Sequence, residues 1–328
     1  MPNCWKLLGA GNDSDRYDWS RALAYATPSS KNLKPPYRQG PDTHGRCARA
    51  MRAVKLPSTD LLRAEYEEAN NLRDVSDTVL LKRYGGKVGA LNYASPGVRV
   101  DASQTIGLLT RALTFPTPEL EHRADQLLLY LAQHHDLSLR YSASAQDAAV
   151  LSAYVDSDWA VAHATTGYAC KLAGASVGHS SKRQQCISTS STEAEIVAAS
   201  ACALEIMYFR GLLQDMGLEQ SEPTVLLIDN TGAISLSRDR KSCNKSRHID
   251  RRFFKVRELE AAGVLVTRHV PTEDNAADML TKHLPHDVFQ RHLINLMGGG
   301  SRVAEGGEDT HTTHSLSTSC VYMHIPVP

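Results

Sequence analysis

With 328 residues, 42% of them hydrophobic, the chain has the length for two ordinary domains and the apolar content for a sizeable core, which excludes wholesale disorder. Its 36 basic and 36 acidic residues cancel, so it is not a uniformly basic coat for nucleic acid, and charge has to be read segment by segment. Seven scattered cysteines, with no CxxC pair and no cysteine-histidine cluster at zinc spacing, read as free thiols, and neither a signal-peptide run nor an apolar window of bilayer length is evident, which predicts an intracellular protein without a membrane partner.

Residues 1–83 are rich in turn formers, as in Lys34-Pro-Pro-Tyr37, and predict weak order apart from a short charged helix near 61–72. Residues 103–113 and 119–134 are of helix length and are separated by Phe115-Pro-Thr-Pro118. In the second, Leu120, Ala124, Leu127, Leu128 and Leu131 share one face, so a helical hairpin is expected.

From Leu151 the pattern becomes an alternation of short apolar strands with amphipathic helices, which signals an α/β domain. Strands are predicted over 151–156, 167–172 and 175–179, the last two turned by Ala173-Gly174. A long helix follows, opened by the capping box Ser190-x-x-Glu193 and stopped by Gly217. A strand over 224–229, helices over 232–236 and 249–262, a strand over 264–270 and a last helix beginning near Asn275 complete the order βββαβα(α)βα. The tail over 298–328, rich in Gly, Ser, Thr and His, predicts disorder.

Four acids stand where these strands end or helices begin: Asp156, Glu195, Asp229 and Asp278. In an α/β sheet such positions face one crevice. Taken singly, Glu195 and Asp278 also read as ordinary first-turn helix acids. Asp156 and Asp229, each ending an apolar strand, have less structural reason to be acidic. Together the four would repel strongly unless protonated or neutralised by cations, and an all-oxygen ligand set favours Mg²⁺ or Mn²⁺. Two such ions would suit an in-line phosphodiester displacement. His269 and His283 flank Asp278 and read as core or surface histidines rather than as proton carriers.

The same residues carry a resemblance. Tyr154-Val-Asp-Ser-Asp-Trp-Ala160, Thr166-Gly-Tyr168, Ser181-Lys-Arg-Gln184, Ser190-Ser-Thr-Glu-Ala-Glu195, Ile228-Asp-Asn230, Arg247-His-Ile-Asp250 and Asn275-Ala-Ala-Asp-Met-Leu-Thr-Lys282 resemble, in the same order, the C-terminal ribonuclease H of copia-type LTR retrotransposon Pol polyproteins. Residues 84–141 are similar to the end of the reverse transcriptase region and the stretch joining it to that nuclease. The resemblance implies a ribonuclease H-like mixed sheet (βββαβαβα) with helices on both faces over 151–290, preceded by the helical hairpin and a weakly ordered N-terminus. It implies that Asp156, Glu195, Asp229 and Asp278 are the metal-binding catalytic carboxylates, holding two Mg²⁺ or Mn²⁺ ions to cut the RNA strand of an RNA:DNA hybrid during reverse transcription. Other Pol or Gag products become expected partners, and the cytoplasm, a virus-like particle or the nucleus the expected location.

For nucleic-acid contact the expected residues are Lys182, Arg183 and Gln184 before the long helix, Asn230 after Asp229, and Arg247 and His248. The last two lie in a segment, 238–257, with nine basic residues against Asp239 and Asp250. A solvated helix face is the competing reading of that run. The sequence shows no polymerase Tyr-x-Asp-Asp turn, no integrase zinc site and no protease triplet, so a truncated element without polymerase activity of its own is expected. A short apolar turn over 160–164 and His179 in place of a tryptophan depart from the family pattern. They keep open the alternative of a non-catalytic remnant acting at most as a nucleic-acid-binding or structural module.

Overall fold

The computed structural model describes residues 53–73, 77–142, 150–159, 163–238 and 250–299. The expected tail from 300 onward, residues 1–52, and Arg247 and His248 with most of the basic run lie outside the described residues.

Four helices come first: α1 (Leu61–Leu72), α2 (Thr78–Val98), α3 (Ser103–Arg111) and α4 (Pro118–Gln133). The α3–α4 pair is the expected hairpin. Pro118 occupies the first helical position of α4, and Thr117 caps it by accepting the Leu120 N–H at 3.3 Å. The charged helix expected near 61–72 is α1, and the expected weak order up to residue 83 does not extend over the start of α2. Leu80, Tyr84, Val88 and Leu91 make one buried stripe on α2, outweighing the low helix propensity of Gly85, Gly86 and Gly89. Tyr84, Val88 and Leu91 form one core with Leu62 and Tyr66 of α1 and Leu109, Leu120 and Leu127 of the hairpin.

The α/β part is a five-stranded mixed sheet of order β3-β2-β1-β4-β5, built from β1 (Ser152–Asp158), β2 (Thr165–Leu172), β3 (Ala175–Arg183), β4 (Thr224–Ile228) and β5 (Leu265–His269). β1, β2 and β3 form an antiparallel meander, whose β2–β3 turn holds Ala173 and Gly174 at φ 52° and 88°. β4 runs parallel to β1, and β5 parallel to β4. This is the mixed α/β sheet the sequence predicted.

Strand alternation sorts β1. Ala153 and Val155 pack with α5 (Ser191–Asp215) and α7 (Asp250–Ala261) on one face. Tyr154 turns to the other face, toward Val100, Ala169, Leu280 and α8 (His286–Met297). The short helix α6 (Thr231–Arg238) follows β4. Ser190 caps α5 by accepting the Glu193 N–H at 3.2 Å, while the Glu193 carboxylate accepts the Thr189 N–H at 2.7 Å. By length and composition α5 is apolar enough to span a bilayer, more than the sequence reading allowed, but Ala194, Ala198, Cys202 and Ile206 are buried against the sheet.

The C-terminal segment differs from expectation. In place of a helix from Asn275 there are two 3₁₀ turns, Thr272–Asp274 and Ala276–Leu280, and α8 begins only at His286. The cause is local. The Asn275 side chain donates to the Val155 carbonyl at 3.0 Å and accepts the Ala277 N–H at 3.2 Å, tying this turn to β1, and Pro285 restarts the chain as helix.

Candidate active site

Asp156 lies near the end of β1, and Asp229 is the first residue beyond the parallel strand β4. The second 3₁₀ turn, crossing over β2, brings Asp278 beside them. Each of the three offers a carboxylate oxygen within 4.8 Å of the other two. At that separation one pair of full charges repels by about 3.5 kcal/mol at an effective dielectric near 20. Glu195, the fifth residue of α5, is 5% exposed and accepts the Ser157 N–H at 3.1 Å, next along β1 from Asp156.

Three features hold the acids together. Lys282 reaches Asp156 Oδ1 at 3.3 Å and Asp278 Oδ1 at 3.2 Å. Thr281 donates its hydroxyl to Asp156 Oδ2. Two of the acids hold their protons: burial, then the Asp156 and Asp229 charges, pushes Glu195 up to about 8, and burial, then Asp156, pushes Asp278 up to about 7 against the pull of Lys282. Burial and Asp156 also raise Asp229. Glu195 Oε2 is buried with no hydrogen-bond partner among the described residues. An orphaned buried carboxylate oxygen beside three converging carboxylates is a donor set that suits a hard divalent cation such as Mg²⁺ or Mn²⁺.

The other residues singled out in the sequence scatter. Lys182 and Arg183 end β3 and are exposed. Gln184 corrects the expectation of a nucleic-acid contact. It is 4% exposed, its Nε2 donates to Thr166 Oγ1 and the Ala194 carbonyl, and its Oε1 accepts from Ser188, so it ties β3 to α5. Asn230 adjoins Asp229, and its Oδ1 accepts the Ala233 N–H at 3.0 Å to cap α6. His269 and His283 are exposed. Sequence reasoning passed over Lys282, although its place four residues after Asp278 is the spacing at which a cation faces a carboxylate. The part played by Thr281 has no such signal, because its partner is 125 residues away.

Two curated proteins are similar to the chain. The retrovirus-related Pol polyprotein from transposon TNT 1-94 of Nicotiana tabacum is 32% identical over 211 residues, 63% of this chain and 16% of that protein. The corresponding polyprotein from transposon RE1 of Arabidopsis thaliana is 32% identical over 213 residues, 63% of this chain and 14% of that protein. The chain is thus similar, over 63% of its length, to retrovirus-related Pol polyproteins of plant transposons. It spans about a sixth of the length of these relatives. The solved structure of LC11-RNase H1, isolated from compost by a metagenomic approach, is similar at 18% identity over 44% of this chain and 98% of that one, with a TM-score of 0.29. No protein-family model matches the chain.

Proposed function

We propose that this Pol chain is a divalent-metal-dependent ribonuclease that hydrolyses the RNA strand of RNA:DNA hybrids formed during reverse transcription by other parts of the element. The observation that carries the reading is the meeting of Asp156, Asp229 and Asp278 at one end of the paired parallel strands β1 and β4, with Glu195 beside them. Three buried acids and a half-buried one gathered together are costly, and a structural role alone does not call for them.

Asp156, Glu195, Asp229 and Asp278 would hold two Mg²⁺ or Mn²⁺ ions, which when bound supply an activated water and stabilise the leaving oxygen. The protein side of the reaction follows from its own groups. The 3₁₀ turn fixes Asp278, Thr281 orients the Asp156 carboxylate, and the capped α5 sets the position of Glu195. Lys282, held charged because Asp156 and Asp278 outweigh its burial, keeps the acids together when no metal is bound, and its half-exposed ammonium faces the place where a phosphodiester would approach. The exposed Lys182 and Arg183 supply phosphate contacts at the end of β3.

The test is cleavage of an end-labelled RNA:DNA hybrid by the full chain with Mg²⁺ or Mn²⁺, with EDTA, and in the Asp156→Asn and Asp229→Asn variants. Metal-dependent cutting lost in both variants is the expected result. A folded chain that binds hybrid without cutting it overturns the enzyme reading in favour of a binding module.

A further inference from the structure

On the sheet face that carries Asp156, the last cross-strand row is Asp158, Thr165 and Arg183. Asp158 pairs in register with Thr165, and Thr165 with Arg183. The helical unit adds two guanidinium groups to this row. Arg63 of α1 forms an ion pair with Asp158, and Arg111, the last residue of α3, donates from Nη2 to Thr165 Oγ1 at 3.2 Å.

The two arginines differ in how their charge is answered. Arg63 has Asp158 and, at 3.1 Å, Glu67. Arg111 has no carboxylate partner among the described residues: its charged neighbours are Arg183 and Arg63, and its Nε is buried without an acceptor. Burial and these like charges push it down only to about 10, so it stays charged at neutral pH. A partly buried guanidinium with unused donors beside two more cations is costly in isolation, and an oxyanion placed there would relieve it. Arg183 is exposed, so the place is open to solvent.

We propose that Arg111 and Arg183, on either side of Thr165, form a cleft for a backbone phosphate of the nucleic-acid strand, built jointly by the helical unit and the sheet. Asp158 is two residues beyond Asp156, about 6.6 Å along β1 at about 3.3 Å per residue. A strand that crosses the carboxylates therefore runs on over this row, where the partly exposed Arg111 guanidinium, bonded through Nη2 to Thr165, lies near the fork of Arg183. The helical unit then completes the binding surface instead of serving as a spacer. This inference rests on the reading of the carboxylates as a hybrid nuclease site.

The experiment is binding of a fluorescent RNA:DNA hybrid to the full chain carrying Asp229→Asn, followed by anisotropy between about 50 and 200 mM salt. Arg111→Met and Arg183→Ala are each expected to lower the slope of log K against log salt by about one, and the double variant by about two. Arg111→Lys, which keeps the charge, should hold most of the slope. An unchanged slope in Arg111→Met overturns the cleft, and it does so without touching the nuclease reading, which stands or falls on cleavage by the unsubstituted chain. Reduced slopes in a chain that never cuts hybrid would leave the cleft standing and sink the nuclease. Should Arg111→Met melt below the assay temperature, Arg111→Gln, which keeps a donor for Thr165 but not the charge, decides in its place.

Discussion

Glu195 and Asp278 keep protons that ordinary carboxyls give up near pH 4, because burial and the neighbouring Asp156 disfavour their charged forms. The folded chain therefore binds more protons than the unfolded one between about pH 4 and 8, and stability without metal falls as pH rises through that window. In EDTA the unfolding temperature is expected to be higher at pH 5.5 than at pH 8. Mg²⁺, by replacing those protons, should raise it more at pH 8 than at pH 5.5. An EDTA profile that climbs toward pH 8 would contradict the raised carboxyls. Glu195→Gln carries the same argument in one atom: at pH 8 without metal it should stabilise the fold by on the order of 1 kcal/mol while removing cleavage, read by calorimetry and by the hybrid assay.

Among the elements, the 3₁₀ turn that carries Asp278 owes its seat to a missing side chain. A Cβ on Gly167 would lie 2.5 Å from Thr281 Cγ2, 3.0 Å from Leu280 Cβ and 3.2 Å from the Ala277 carbonyl, and Gly167 is the register partner of Asp156. Gly167→Ala must therefore lift the turn off β2. The expected cost is about 1–3 kcal/mol in denaturant unfolding, with weaker divalent-ion binding by titration calorimetry. A variant that keeps both wild-type values would show that the turn is not seated this way. The Thr166-Gly-Tyr168 motif was legible in the sequence, but the reason for its glycine was not, since the turn it admits comes more than a hundred residues later. Elements with strong local signals, α5 with its cap and the alternating β1, could be read directly. α2 could not, because its glycines mask a stripe that only packing against α3 and α4 reveals. The start of the last helix was misplaced because Asn275 resembles a helix cap while its side chain is committed to Val155.

At the scale of the molecule, a buried polar knot within the helical unit fixes the segment whose Val100 enters the core on the sheet side. Arg99 forms a bidentate pair with Asp101 at 2.7 and 2.9 Å, Tyr130 donates to Asp101 at 2.9 Å, and Arg99 Nη1 reaches the His134 carbonyl at 3.1 Å. Val100, between the two partners, packs into the core beneath α8. Asp101→Ala strands a buried guanidinium and should cost about 3–5 kcal/mol. If the two units then melt separately by calorimetry, the knot is what couples them; a single transition at the original temperature would show that it does not. The four acids of the site were legible because each follows an apolar strand or begins a helical segment. The contributions of Arg111, Arg63 and Thr281 were not, because each acts on a partner in a distant part of the chain.

Lys282 lies 126 residues after Asp156, and Asn275 is tied to Val155 across 120. At the usual pace of translation, about 5–20 residues per second, Asp156 waits roughly 6–25 s on the ribosome before the residues that complete its site exist. The helices and the first strands form early, but the acids meet only when the turn after β5 has been made. A nascent chain thus lacks the assembled carboxylates until Asp278 has been made, and so does one cut short before it. The order of the segments delays the meeting of the acids, with no inhibitor needed to enforce it.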